Sequence, residues 1–356
     1  MTRYPEGKPV FPAAVISRVP IRINDIGGWT DTWFAGYGRV LNLAAAPGIE
    51  VRIRLFPNPA REPERVRLRV KDFKESFRMN PDVPRPKPHP LLQAAVAAVP
   101  ISREVSLDID IQASVPAGIS VGSSAAVCVA LLGGLTHLRR EDVSPGPIAS
   151  LAHRVETERL GWQSGIQDQI CAAFGGICLI EMRAYPDAEV ERIEPSAAIR
   201  EELDSRLCLI FLGSAHNSSA LHQQVIAELE RGGTEKAQIQ ALRGLPLKAR
   251  RHLLEGDLAA YGAVMIKNNE CQRGLHPDLV SPAADAVIAV AREHGAEGWK
   301  VNGAGGRGGS MTVLGSREPD RRARMQAAVD GLGSGVCVLP VSLSKSGLTV
   351  FEEEIP

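Results

Sequence analysis

Apolar and polar side chains alternate through residues 15–23, 48–55, 66–70 and 105–111, with β-branched residues filling many of the apolar slots. A period of two marks half-buried strands, and the Pro- and Gly-containing turns between these segments predict a largely antiparallel sheet in the N-terminal part. The Pro-rich stretch 81–90 cannot continue as a central strand or a helix, so it is expected as an exposed, semi-rigid loop that could border a ligand site. The pattern then becomes helical over 91–99, 123–138 and 147–160, with a weaker apolar segment at 166–174. After the polar, acidic stretch 186–204 a second set begins. It reads as a strand at 207–212, helices at 221–231, 234–254, 258–270 and 283–294, strands at 298–302 and 310–314, a helix at 320–332 and a closing segment at 335–340. This order predicts an α+β fold divided at the polar stretch, with one domain over 1–195 and another over 196–356. No repeat of solenoid period is visible.

Composition narrows the partners. The 356-residue chain has a formal net charge of zero, 44% hydrophobic and 23% charged residues, and only 4% aromatic residues. A globular protein without a polyelectrolyte partner is expected, because the short basic cluster Lys248, Arg250 and Arg251 has no longer basic run or stacking aromatics beside it. Nucleic acid is therefore not an expected partner. The six cysteines lie mostly in apolar stretches without a Cys-x-x-Cys pair, as buried thiols in a reducing compartment do. No stretch reaches the length that spans a bilayer, and the first residues lack an apolar leader segment, so a cytoplasmic location is expected, as monomer or homodimer.

Against this background, several clusters carry candidate chemistry. Residues 116–125 read Pro-Ala-Gly-Ile-Ser-Val-Gly-Ser-Ser-Ala and run directly into an apolar helical stretch. Glycines let backbone N–H groups turn toward a ligand, and the unpaired N–H groups of a first helical turn favour an anion. The same residues also suit an ordinary loop capped by Ser123 or Ser124. The second cluster, 22–31, crowds Arg22, Asn24, Asp25 and Asp31 around Gly27 and Gly28 just after a predicted strand, beside Trp29. Fixed acceptors and an aromatic face suit a polyol, although taken alone the residues favour a Gly-Gly turn with Asp31 as a cap. The third, 161–169, sets Asp168 between Gln167 and Gln169; it reads either as a held carboxylate suited to general-base work or as an N-cap. Upstream, Glu156 and Glu158 lie on different faces of a helix, so one of them is expected to face a site. The fourth, 300–310, contains a formal G-x-G-x-x-G followed by a strand rather than a helix, which excludes a dinucleotide-binding turn and suggests close backbone approach.

In this order the clusters resemble the three signature motifs of the GHMP kinases, the family of galactokinase, homoserine kinase, mevalonate kinase and phosphomevalonate kinase. Arg22 followed nine residues later by Asp31 resembles the sugar-kinase form of the first motif. The Gly-Gly-Trp-Thr-Asp version, continued by Val40-Leu41-Asn42, is more similar to the heptose-7-phosphate kinase and L-fucokinase branch. The resemblance implies a ribosomal-protein-S5-domain-2-like N-terminal domain that binds ATP and a ferredoxin-like C-terminal domain. It also implies that Pro116, Gly118, Ser120, Gly122, Ser123 and Ser124 wrap the nucleotide phosphates, and that Ser124 and Glu156 ligate Mg²⁺. Asp168 falls on the presumed base and Arg22 on the cation that positions the attacking hydroxyl. Trp29, Thr30, Asp31, Asn42, Gly165, Gly305 and Arg307 are the expected contacts to a small sugar or sugar phosphate. Ser120 stands where the family usually has glycine, and Arg307 interrupts the glycine run of the third motif. The implied activity is ATP- and Mg²⁺-dependent transfer of a phosphoryl group to a sugar hydroxyl, the anomeric one. A sugar and ATP sensor without catalysis and a kinase for another alcohol such as mevalonate are the alternatives.

Overall fold

The computed structural model describes residues 14–85, 87–215, 219–231 and 235–353. Thr234, where the sequence pattern starts a helix, lies outside the described residues, as do 1–13 and 354–356. The strands are β1 Ala14–Ile26, β2 Gly38–Pro57, β3 Val66–Val70, β4 Glu75–Met79, β5 Val105–Ala113, β6 Ile177–Ala184, β7 Asp187–Arg192, β8 Leu207–Leu212, β9 Gly298–Val301, β10 Ser310–Leu314, β11 Val336–Leu339, β12 Ser342–Leu343 and β13 Thr349–Glu353. The α-helices are α1 Pro90–Ala98, α2 Ser123–Leu138, α3 Pro145–Arg154, α4 Gln167–Phe174, α5 Ala197–Arg206, α6 Ser219–Arg231, α7 Glu235–Glu255, α8 Leu258–Leu275, α9 Pro282–Glu293 and α10 Pro319–Asp330.

The fold is α+β. A nine-stranded sheet runs β13-β1-β2-β5-β3-β4, with β6 and β12 also pairing β2 and β7 pairing β6. Its pairs are antiparallel except β3 with β5. The alternation read in 15–23 and 48–55 continues beyond those limits: β2 is long enough to pair β1, β5 and β6 along its length. Sequence patterning missed β6, β7 and α5, which fall in or beside the polar stretch taken as the boundary, because both strands of the β6–β7 hairpin carry charged residues. A four-stranded sheet of order β11-β8-β10-β9 forms in the later part of the chain. The last two strands return to the first sheet, where β13 pairs β1 and β12 pairs β2.

Apolar burial builds three cores. One packs α1, α2, α3 and α4 on the first sheet around Ile53, Leu68, Val129 and Ala152. Another packs α9 and α10 on the second sheet around Val287, Met311 and Val329. The third joins the ends of β1 and β2 (Ile21, Ile23, Leu41) to α7 and α8 (Leu242, Leu245, Tyr261, Met265) and to Ile119 and Val121 of the loop before α2. This shared core brings three of the four sequence clusters together, through Ile119 and Val121, through Ile23, Ile26 and Trp29, and through Ala304; the cluster 161–169 joins them from the first core, through Ile166.

Candidate active site

The loop between β5 and α2 has Gly118 (φ 75°), Ser120 (φ 61°) and Gly122 (φ 69°) in the left-handed region, separated by the fully buried Ile119 and Val121. Left-handed residues in close succession form the concave backbone nests that hold anions. Gly122 is the N-cap of α2 and no side chain caps the helix. Ser123 and Ser124 therefore sit inside the first turn instead of capping it, and the first-turn N–H groups keep their partial positive charge for a ligand. Two ties fix the loop: Arg22 N donates to Val121 O (2.9 Å) and Ser310 Oγ donates to Ile119 O (2.6 Å). Pro116 is exposed at the loop's entrance and Ser124 is exposed at the helix start.

Asp168, in the first turn of α4, meets this loop directly. A Cβ placed on Gly122 would lie 2.8 Å from Asp168 Cγ, so any side chain there would collide with the carboxylate. Arg22 Nε donates to Asp168 Oδ1 (2.8 Å), and Nη1 donates to Asp25 Oδ1 (3.1 Å). Asp25 also accepts from Lys300 Nζ (2.9 Å) and from Gly303 N (3.0 Å). Arg22, Asp25 and Lys300 are all buried, Asp25 and Lys300 completely. Burial disfavours charge on each of them, and their partners decide the outcome. Burial alone would lower the Arg22 pKa, but Asp168 and Asp25 raise it above the usual arginine value. Asp25 is likewise pushed up by burial, but Arg22 and Lys300 hold it below the usual carboxylate range. Lys300 stays below its ordinary value because its burial outweighs Asp25. Breaking one side of such a buried pair costs several kcal/mol, since a lone charge remains.

Beside Asp168 opens a cavity of about 720 Å³. The loop 29–34 supplies Trp29, Asp31, Thr32, Trp33 and Phe34 to its wall, and the loop 161–165 supplies Trp162, Gln163, Ser164 and Gly165. Gln223 and Ile226 of α6 and Gly303 and Ala304 close the remaining sides. Trp33 packs edge-on against Phe34, with centroids 5.2 Å apart. Asp31 is buried and accepts from Ile166 N and Gln167 N, each at 3.1 Å. Burial raises its pKa to about 6, the Gln167 N–H offsets part of the rise and the Asp168 charge adds to it. Gly165 is needed beside it, because a Cβ there would lie 2.4 Å from Asp31 Oδ2.

The expected site residues divide by position. Arg22, Trp29, Asp31, Gly165 and Asp168 line the cavity. Thr30 and Asn42 are buried behind the wall: Thr30 Oγ1 donates to Gly27 O (2.8 Å), and Asn42 Nδ2 donates to Gln167 O (3.3 Å). Gly305 packs on Leu279, whose carbonyl oxygen a Cβ would meet at 2.1 Å. Arg307 is exposed and is not part of the lining. Of the two upstream glutamates, Glu156 is buried and Glu158 exposed. Glu156 sits in a wide π-type turn, Val155–Arg159, that ends α3, a deformation common at functional sites. Its Oε2 accepts from Ser164 Oγ (2.6 Å) and Gln169 Nε2 (3.0 Å). Burial pushes its pKa up to about 7, the Ser164 hydrogen bond opposes this and the Asp168 charge adds to it. The Glu156 charge also acts on Cys128, which lies one turn after Ser124 on α2.

Sequence reasoning gave no role to Asp25 and Lys300, although both stand in the quoted clusters. It also missed α8. Asn268 Oδ1 accepts from Gly27 N (2.7 Å), Asn269 Oδ1 accepts from Val301 N (3.1 Å), and Gln272 Nε2 donates to Gly303 O (2.7 Å). These amides stitch the second cluster to the fourth. The signal was present as two adjacent asparagines inside a predicted helix, where a buried partner makes them favourable.

Residues 91–176 match the family model described as the GHMP kinases N terminal domain. The chain is 26% identical over 338 residues to a bifunctional fucokinase/GDP-fucose pyrophosphorylase of Arabidopsis thaliana, a match that covers 86% of this chain and 30% of that protein. It is 27% identical over 258 residues to a mevalonate kinase of Thermococcus sibiricus, covering 70% of each. The crystal structure of a D-glycero-D-manno-heptose 1-phosphate kinase from Bacteriodes thetaiotaomicron superposes with a TM-score of 0.70 at 19% identity, over 95% of this chain and 99% of that one. The family match falls on α1 through α4, the segment that carries the loop before α2 together with Glu156 and Asp168, and the solved structure shares the fold of this chain.

Proposed function

We propose that the protein is an ATP- and Mg²⁺-dependent sugar kinase that transfers the γ-phosphoryl group to a sugar hydroxyl, the anomeric one, of an L-fucose-like sugar or a heptose 7-phosphate. The observation that carries this reading is the position of Asp168, which lies on the wall of the cavity and against Gly122 of the phosphate loop. A carboxylate at that boundary reaches an acceptor hydroxyl on one side and a transferring phosphoryl group on the other.

Asp168 accepts the hydroxyl proton as the sugar oxygen forms its bond to phosphorus and the bond to the ADP oxygen breaks. Arg22 holds Asp168 in place through Nε and offsets the charge that develops beside it. The loop 118–122 and the first turn of α2 hold the triphosphate through backbone N–H groups. Trp29, Asp31 and Gly165 face the sugar, and Thr30 and Asn42 support that wall from behind. Glu156 and Ser124 suit a hard divalent cation: Glu156 is buried with a hydroxyl and an amide as its partners, and its charge is opposed by Asp168. Such a cation supplies charge neutralisation on the phosphates, with phosphate and water completing its oxygen shell. Aromatic faces with interleaved carboxylates and amides favour a sugar over an acyclic alcohol such as mevalonate.

The test is a coupled ADP-release assay across free and phosphorylated sugars, polyols and mevalonate, with the phosphorylated position read by NMR. Turnover with an aldose and a product esterified at the anomeric carbon is expected. ADP release with mevalonate or polyols alone overturns the sugar assignment, and no ADP with any acceptor overturns the kinase.

A further inference from the structure

We infer that the acceptor is an uncharged aldose bound through an apolar ring face, and that the cavity discriminates against sugars already carrying a phosphate. The inference rests on reading the cavity as the sugar site and names which of the two proposed acceptor types it takes. Its first support is charge. Asp31 and Asp168 both line the cavity, so a second phosphate would enter a wall that already carries carboxylates. Among the described residues that line it, Arg22 is the sole cation, and its Nε and Nη1 are engaged by Asp168 and Asp25. The other polar groups on the wall include the neutral amides of Gln163, Gln167 and Gln223, which suit hydroxyls in fixed directions. Arg307, the cation among the expected contacts to a sugar or sugar phosphate from the glycine-rich bend, is exposed and outside the lining.

The second support is shape. Trp29, Trp33, Phe34, Trp162 and Ile226 give the wall an extended apolar component. Aromatic faces cover the C–H face of a sugar ring or a deoxy methyl group, and they offer nothing to a dianion. Like charges brought together in a recognition site cost several kcal/mol, so the discrimination expected is about 100-fold.

Matched pairs of an aldose and its terminal phosphate monoester test this in two ways on the full chain. In ADP-release assays kcat/KM is expected to favour the free aldose by about 100-fold, and calorimetric titration without nucleotide is expected to show the same order of affinities. An ester that binds or reacts as well as its parent sugar overturns the inference while leaving the kinase intact. Absence of ADP with every sugar overturns the kinase reading, and the calorimetric order still decides the charge preference. Absence of binding by every sugar overturns both. A Gln223→Arg variant, which adds a cation to the wall, is expected to narrow the gap between sugar and ester by about 10-fold; an unchanged gap shows that wall charge is not the discriminator and overturns the inference.

Discussion

The two sides of this site are built from different materials. The side proposed to hold phosphate is backbone: left-handed Gly118, Ser120 and Gly122, the uncapped first turn of α2 and no charged side chain in the loop itself. The side proposed to hold the acceptor is side chain, with buried charges balanced in pairs and aromatic groups drawn from separate loops. On the proposed function, the difference follows from what each side binds. A phosphate is recognised by any well-aimed set of N–H donors, which a short run of permissive residues supplies. A sugar needs donors and acceptors in several fixed directions, and no single stretch of chain can surround it.

The largest expected effect tests the point where the two sides meet. Asp168→Asn should lower kcat by about two to four decades while the KM for ATP changes little, since the loss is that of a general base. Steady-state kinetics in both substrates reads it, and near wild-type turnover would place the base elsewhere. Next comes the buried charge balance. Lys300→Met leaves Asp25 fully buried with Arg22 as its remaining counter-charge, and should cost about 3–5 kcal/mol in urea unfolding. Adding Asp25→Asn to that variant should recover much of the loss; no recovery would show that Lys300 acts through packing.

The pH dependence of Asp31 offers a smaller effect with a defined sign. Its folded pKa is raised to about 6 from 3.8, so the folded state binds the proton more tightly than the unfolded chain. Its contribution to stability is complete below about pH 4 and is lost as the pH rises through about 6. A rise of that size corresponds to at most about 3 kcal/mol. Asp31→Asn should therefore gain stability relative to the parent between pH 4 and pH 7, read as urea midpoints at both ends. A constant difference would deny the buried carboxylate its role. The smallest effect lies on the phosphate side. Ser120 has φ 61°, which costs an L-residue about 1–2 kcal/mol, partly offset by the greater freedom of glycine in the unfolded chain. Ser120→Gly should raise stability by no more than about 1 kcal/mol in thermal unfolding. A large loss instead would reveal a contact of the hydroxyl.

Legibility in the sequence followed the same division. The loop 116–122 could be read as a distinct element because its residues are contiguous, and the structure shows Gly118, Ser120 and Gly122 in left-handed conformations. The strands of β1, β3 and β5 and most helices were legible from periodicity, since burial of one face leaves a regular pattern. The β6–β7 hairpin was not, because its charged residues pair across the strands at the surface, as Arg183 does with Glu189. Arg307 was legible as an irregularity, but its exposure could not be read from its place in a glycine run.

The sequence alone determined the α+β class, the four clusters and the order that links them to the GHMP kinases, because local backbone preference and hydrophobic period are written in neighbouring residues. Tertiary structure decided which side chains share the cavity. The core joining β1, β2, α7 and α8 and the core that holds α2 and α4 together bring Asp25 to Lys300, Gly122 to Asp168, and Gln223 and Trp33 to one cavity. Each of these proximities depends on packing between segments distant in the chain, and the energy of a charge or a close approach is set by what surrounds it in space.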